Sequence, residues 1–190
     1  MAEVFLAHHA QGLTDGVKAL ADQLRQVGHT VHTPDAYQGN VFPTLDEGIG
    51  YAREAGFGTV RQRTLAAAEE LPAELVYIGV SLGVMAAQQL AQTRAGARGA
   101  VLLEACLPPS EFGSWPKGVP VQVHGMDEDP FFAKEGDLDA ARELVKEADD
   151  GQLFVYPGDR HLFTDSSLPT YDAEATALVV KRVLEFLARL

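Results

Sequence analysis

The sequence predicts an α/β fold, a mostly parallel sheet of six strands with helices packed on both faces. Three observations lead there. Short runs of consecutive apolar residues, Val4-Phe5-Leu6-Ala7 being the first, have the length and pattern of strands buried on both sides. These runs alternate with longer segments whose apolar residues recur every three or four positions, the period of a helix lying on a sheet. Gly and Pro punctuate the segments, and no internal repeat interrupts the alternation. Strand–helix–strand crossovers in such a chain are right-handed.

Taken in order, Val4 to Ala7 is the first strand and ends in the polar pair His8-His9. Thr14 opens a helix whose Val17, Leu20, Ala21, Leu24 and Val27 share one face, and Gly28 stops it. His29 to Thr33 is the second strand, ended by Pro34. Thr44-Leu45-Asp46-Glu47 has the form of a capping box, and the spacing predicts helix running past Gly56 to Leu71, with Pro72 as terminator. Glu74 to Gly79 is the third strand. It runs through Val80-Ser81-Leu82-Gly83 into an Ala-rich helix that ends near Thr93, closed by Gly96. Gly99 to Glu104, Val119 to His124 and Gln152 to Tyr156 supply strands four to six, with helices over Asp137–Asp149 and Ala173–Leu190.

The 190 residues are expected to form one domain, 1–190. A folded chain of this mass exposes roughly 8,800 Å² of about 30,000 Å² available, so around 70% can be buried without disulfides or metal. Hydrophobic residues make up 46% and charged residues 22%, which excludes disordered and fibrous classes. The 15 Lys and Arg against 27 Asp and Glu leave a formal charge of -12, which repels nucleic-acid phosphates and anionic lipid headgroups alike, so neither nucleic acid nor membrane is an expected partner. One cysteine cannot form an internal disulfide, and the apolar run after Met1 is far shorter than a signal or spanning segment. The expected location is the reducing cytoplasm.

In parallel sheets of this kind ligands bind outside the carboxyl ends of the strands. The polar residues there are His8 to Gln11, Pro34 to Tyr37, Ser81, Asp127 to Asp129 and Asp159 to His161. Gly79-Val80-Ser81-Leu82-Gly83 is a G-x-S-x-G sequence between a strand and a helix, the setting of a nucleophile elbow. The turn lifts a serine hydroxyl over the sheet near the positive end of the helix. A serine hydroxyl is a weak nucleophile until a histidine takes its proton and a carboxylate orients that histidine. His161, after the last strand, is the candidate base. Asp127 and Asp129 follow strand five and either could be the acid; Asp159, two residues before His161, is a third option.

The first-strand loop must supply one backbone N–H of an oxyanion hole and the residue after the nucleophile the other, which singles out Ala10 and Leu82. His9, Tyr37 and Trp115 are candidate substrate contacts. The loop Ala105 to Gly118, with Phe112 and Trp115, joins Tyr37, Phe42, Phe131 and Phe132 as an apolar wall for a small acyl or alcohol group; the same aromatics could instead pack loops onto the sheet. His29 and His32 point to opposite faces of a strand and cannot chelate together. A metal-dependent hydrolase built on His8, His9, His124, His161 and the two aspartates is an alternative without HExxH or similar fixed spacing. A catalytically inactive binding protein is a second alternative. No G-x-G-x-x-G is present, and no cofactor or metal is expected.

The segments His9 to Thr14, Pro34-Asp35-Ala36-Tyr37, Gly79 to Gly83, His124-Gly125 through Asp129-Pro130-Phe131, and Gly158-Asp159-Arg160-His161-Leu162-Phe163 together resemble the dienelactone hydrolase family of α/β hydrolases. The resemblance spans almost the whole chain. It implies a reduced α/β-hydrolase core with sheet order 2-1-3-4-5-6, and it favours Asp129 as the acid. Where the best-studied members carry cysteine at the elbow this chain has Ser81, so the resemblance implies a serine triad. Their first-strand glutamate is replaced by His9, and the segment carrying their substrate-binding arginine is shortened. The expectation is a serine esterase acting on a small ester or lactone through an acyl-enzyme.

Overall fold

The computed structural model describes residues 1–190. Six strands form one parallel sheet: β1 (Glu3–Ala7), β2 (Thr30–His32), β3 (Val76–Val80), β4 (Gly99–Leu103), β5 (Val121–Met126) and β6 (Gly151–Tyr156), in the order β2-β1-β3-β4-β5-β6. The helices are α1 (Asp15–Gln26), α2 (Leu45–Ala55), α3 (Phe57–Glu69), α4 (Val84–Thr93) and α5 (Asp137–Glu147) between strands, and α6 (Ala173–Leu187) after the last. The predicted alternation and strand order are those observed.

Alternation along each strand divides the core into two layers. Val4 and Leu6 of β1, with Val76 and Ile78 of β3, pack against Val17, Leu20 and Leu24 of α1 and Val179, Val183 and Phe186 of α6. Phe5 and Ala7, with Tyr77, Leu102 and Val123, face the other way onto α4 and α5. Each fully buried Val, Leu or Phe contributes about 1.5–3 kcal/mol relative to exposure. This double burial is why the strands read as unbroken apolar runs. None of the helices is long and apolar enough to cross a membrane.

Several boundaries differ from the sequence reading: β2 is trimmed to Thr30–His32, β3 runs Val76–Val80 rather than Glu74–Gly79, and α5 ends at Glu147 rather than Asp149. The helix predicted from Thr44 to Leu71 is two helices, because Gly56 adopts φ +88°, which no right-handed helix allows. Strand five begins at Val121, since Pro120 has no N–H to give the ladder, and it continues to Met126, opposite Tyr156. The last helix ends at Leu187. The N-termini follow the sequence: the Thr14 and Thr44 hydroxyls accept from the Val17 and Glu47 N–H groups.

Candidate active site

The elbow forms where β3 meets α4. Ser81 has φ +48°, a conformation rare for a residue with a side chain, within a single 3-10 turn that leads into α4. The flanking glycines make the turn possible through lack of bulk. A Cβ on Gly79 would lie 2.6 Å from Val84 Cα, and one on Gly83 would run into the Ala7 and His8 carbonyls at the end of β1. The helix start is thereby pressed onto the sheet with the serine above it.

The Ser81 hydroxyl lies 2.8 Å from His161 Nε2, and His161 Nδ1 lies 2.8 Å from Asp129 Oδ2. With Nδ1–H donated to the carboxylate, Nε2 is free to accept from the serine. Asp129 is fully buried and its other oxygen accepts from the Phe131 and Phe132 N–H groups, which fixes the carboxylate. Burial alone would push the His161 pKa down, but the Asp129 hydrogen bond and the negative charges nearby, Asp129 and Asp137 among them, outweigh it and raise it above 6.5. Of the three candidate acids the structure brings only Asp129 to the histidine. Asp127 is exposed and caps the Gly158 N–H, and Asp159 is exposed. Such a chain of hydroxyl, imidazole and carboxylate can move a proton off the serine.

Ala10 and Leu82 line the same cleft as Ser81 and His161. Leu82 is in the first turn of a helical segment, where N–H groups have no intrahelical partner, and the Ala10 N–H makes none of the loop's hydrogen bonds. The cleft encloses about 370 Å³. Leu45, Ile49, Phe57, Met85, Leu107 and Phe131 line it together with the carboxylates of Glu135 and Asp137.

The structure does not bring His9, Tyr37 or Trp115 to this cleft. His9 is fully buried: its Nε2 lies 2.7 Å from Asp165 Oδ2 and its Nδ1 accepts from the Gln11 N–H. Tyr37 is buried against Tyr51 and Phe42 and donates its hydroxyl to the Gly48 carbonyl. Trp115 donates its indole N–H to the Val119 carbonyl and packs into the core beneath the β4–β5 loop. Each has polar atoms that a buried site must satisfy locally, so these residues tie loops to the sheet. Among the aromatics proposed as a wall, Phe131 alone reaches the cleft, joined by Phe57.

The histidines considered as ligands are dispersed. His8 Nε2 accepts from the Ala36 N–H, and His124, fully buried between Phe154 and Tyr156, is held by burial and by Arg182 at a pKa of about 3. No group of three or more His, Cys, Asp or Glu side chains is arranged to hold a metal ion. His29 accepts from the Ala2 N–H and His32 pairs with Glu3. Sequence reasoning passed over Glu104, on the cleft floor, and Asp165, the partner of His9. An acid closing the apolar run Gly99 to Leu103 at its carboxyl end was the available signal for the first. Nothing local marked the second.

The model described as the dienelactone hydrolase family matches residues 2–190. No curated protein matches the chain. Among solved structures, the dienelactone hydrolase-like promiscuous phosphotriesterase P91 from metagenomic libraries superposes with TM-score 0.77 at 22% identity, over 100% of this chain and 87% of that one. A dienelactone hydrolase homologue from Klebsiella pneumoniae gives 0.72 at 17% identity, covering 100% and 88%. An α/β-superfamily hydrolase homologue from Xanthomonas campestris gives 0.68 at 21%, covering 100% of both chains. These likenesses establish the shared fold, and the match along the whole chain establishes that this protein belongs to the dienelactone hydrolase family of α/β hydrolases.

Proposed function

We propose that the protein is a serine hydrolase that cleaves a small, uncharged carboxylic ester or lactone through an acyl-enzyme. The observation that carries this reading is the continuous hydrogen-bonded chain from Ser81 Oγ through His161 to Asp129, at 2.8 Å in each link. Ser81 Oγ attacks the carbonyl carbon while His161 Nε2 takes its proton, and Asp129 holds the ring and stabilises the imidazolium. The carbonyl oxygen, now an anion, accepts from the Ala10 and Leu82 N–H groups. As the carbon–oxygen bond to the alcohol breaks, His161 returns the proton to the departing oxygen. Water, activated by the same imidazole, then hydrolyses the acyl-serine and restores the hydroxyl.

The substrate class follows from the cleft. A volume of about 370 Å³ suits a small molecule, and its apolar lining accommodates a short acyl or alcohol group. Glu135 and Asp137 line it with no Lys or Arg beside them, so a carboxylated substrate meets like charge. Arg160, the cation nearest in sequence to His161, is turned to the Tyr171 carbonyl and Asp172. The elbow oxygen, and not Cys106, is the nucleophile: burial and Asp137 push the Cys106 thiol pKa up, away from thiolate chemistry.

Turnover of short aryl esters by wild type, Ser81→Ala and His161→Ala, with intact mass after a serine-directed phosphonate, tests the reading. Wild type is expected to gain one phosphonyl group, and each variant to lose at least about 10³-fold in kcat. An unmodified wild type, or undiminished activity in either variant, overturns it.

A further inference from the structure

Two buried side-chain polar atoms lack a hydrogen-bond partner, Gln89 Oε1 and Glu104 Oε2. The second belongs to an ionisable group on the floor of the cleft that holds Ser81 and His161. Glu104 follows β4 with φ +65°, a strained backbone that turns the chain where the strand ends. The residue is fully buried. Its Oε1 accepts from both the Thr164 N–H, at 3.2 Å, and the Thr164 hydroxyl, at 2.6 Å.

Thr164 lies three residues beyond His161, across Leu162 at φ +60°. The segment 161–165 is therefore held from three strand ends: Asp129 after β5 grips His161, Glu104 after β4 grips Thr164, and His9 after β1 grips Asp165. The titratable groups that face Glu104 are His161 and His9, and those that face His161 besides Glu104 are Asp129 and Asp137. No Lys or Arg stands among them. A carboxylate buried without a cation is far costlier than the neutral acid. Because Oε1 is already occupied as a double acceptor, the proton belongs on Oε2.

We propose that Glu104 is a positioning residue of the hydrolytic centre and works as an uncharged acid: Oε1 holds the loop that carries His161, and Oε2 carries the proton. Burial, which raises the Glu104 pKa against the lowering effect of His161, the Thr164 bonds and His9, acts in the same direction. The neutral form leaves Asp129 as the carboxylate bonded to the imidazole and avoids a second negative charge that would hold His161 protonated. The positioning role rests on His161 being the base assigned above.

Two measurements on the intact protein test it. The first compares kcat and KM for a short aryl ester in Glu104→Leu, Glu104→Gln and Thr164→Val, each checked for cooperative melting. The Leu variant is expected to lose about 10–100-fold in kcat with KM changed little, since small displacements of a base are costly. Gln, uncharged and still an acceptor for Thr164, is expected to restore most of that loss, with Thr164→Val between the two. Should the Leu variant not fold, Gln and Thr164→Val carry the comparison: Gln above Thr164→Val is expected, and the reverse order overturns the proposal.

The second follows the Glu104 carboxyl carbon by carbon-13 NMR, assigned by its absence in Glu104→Gln. The signal is expected to stay at its protonated position through neutral pH. Titration near the ordinary 4.5 overturns the proposal, as does a folded Leu variant with wild-type kcat, or a Gln variant as impaired as Leu. The spectrum needs no substrate. Wild type inert toward all esters would therefore overturn the hydrolytic reading, while the protonation of Glu104 would still be decided by the carbon-13 signal.

Discussion

Two buried histidines in this molecule each hold a carboxylate at nearly the same distance, His161 to Asp129 at 2.8 Å and His9 to Asp165 at 2.7 Å. They differ in what the other ring nitrogen meets. His161 offers Nε2 to the Ser81 hydroxyl, a group able to release its proton to a base. His9 offers Nδ1 to the Gln11 backbone N–H, a group that is not. The tautomers are accordingly opposite, with the proton on Nδ1 in His161 and on Nε2 in His9. On the proposed mechanism, a histidine–aspartate pair is thus catalytic machinery or a structural clasp according to its third partner. The His9 clasp also adjoins Ala10, so it fixes the loop proposed to supply one oxyanion donor.

The comparison breaks most visibly at the acid. Asp129→Asn keeps the size of the side chain but lets the imidazole settle in the wrong tautomer, and kcat is expected to fall about 10³–10⁴-fold with folding nearly unchanged. Steady-state kinetics and a thermal melt check both halves, and a loss below tenfold would show that Asp129 does not orient the base. Asp165→Ala is expected to invert that pattern. Its carboxylate accepts from His9, Thr14 and Ser167, so its removal orphans several buried donors and costs about 3 kcal/mol of stability. Urea unfolding measures this, with kcat falling by no more than about tenfold through slackening of the Ala10 loop.

The pairs also separate along the pH axis. Asp165 has its pKa brought down to about 2, since hydrogen bonds from His9, Ser167 and Thr14 outweigh the upward push of burial. A depressed acid contributes stability that is fully present above the unfolded value near 3.8 and disappears as pH falls through about 2. Acid unfolding in that window should be lessened in slope by Asp165→Ala. His161 is raised, so its contribution to stability is present below 6.5 and lost as pH climbs through the folded value. The proposed mechanism needs the neutral ring. The acid limb of kcat/KM is therefore expected above 6.5, and Asp129→Asn should move it down.

The sheet was legible because burial on both faces leaves contiguous apolar runs, and the elbow because its glycines are demanded by backbone contact rather than by taste of composition. Ser81 and His161 were readable for the same reason: they stand at strand ends, where the fold delivers side chains to one edge. The choice of Asp129 among three acids came only with resemblance to a family. Spacing carries no information about which carboxylate turns inward, and the backbone N–H groups of Phe131 and Phe132 that capture Asp129 are visible only when folded. His9 misled for a related reason. Its partner Asp165 lies 156 residues away, and a strand-end histidine looks the same in sequence whether it faces a cleft or a clasp.

A third pair supplies the smallest effect and the control for burial. His32 Nε2 lies 2.8 Å from Glu3 Oε1, the same distance as in the His161 pair, but the two side chains are 31% and 32% exposed. It links β2 to β1 at the sheet's edge, where water competes for both partners and salt screens their charges. His32→Ala should cost no more than about 1 kcal/mol, and the difference from wild type should shrink further at high salt. Equal distance with unequal burial isolates the variable: if urea unfolding gave His32→Ala a penalty near that of Asp165→Ala, hydrogen-bond length and not desolvation would govern these pairs. The expected gap follows from what each leaves behind, since a lone Glu3 is hydrated and the donors released from Asp165 are not.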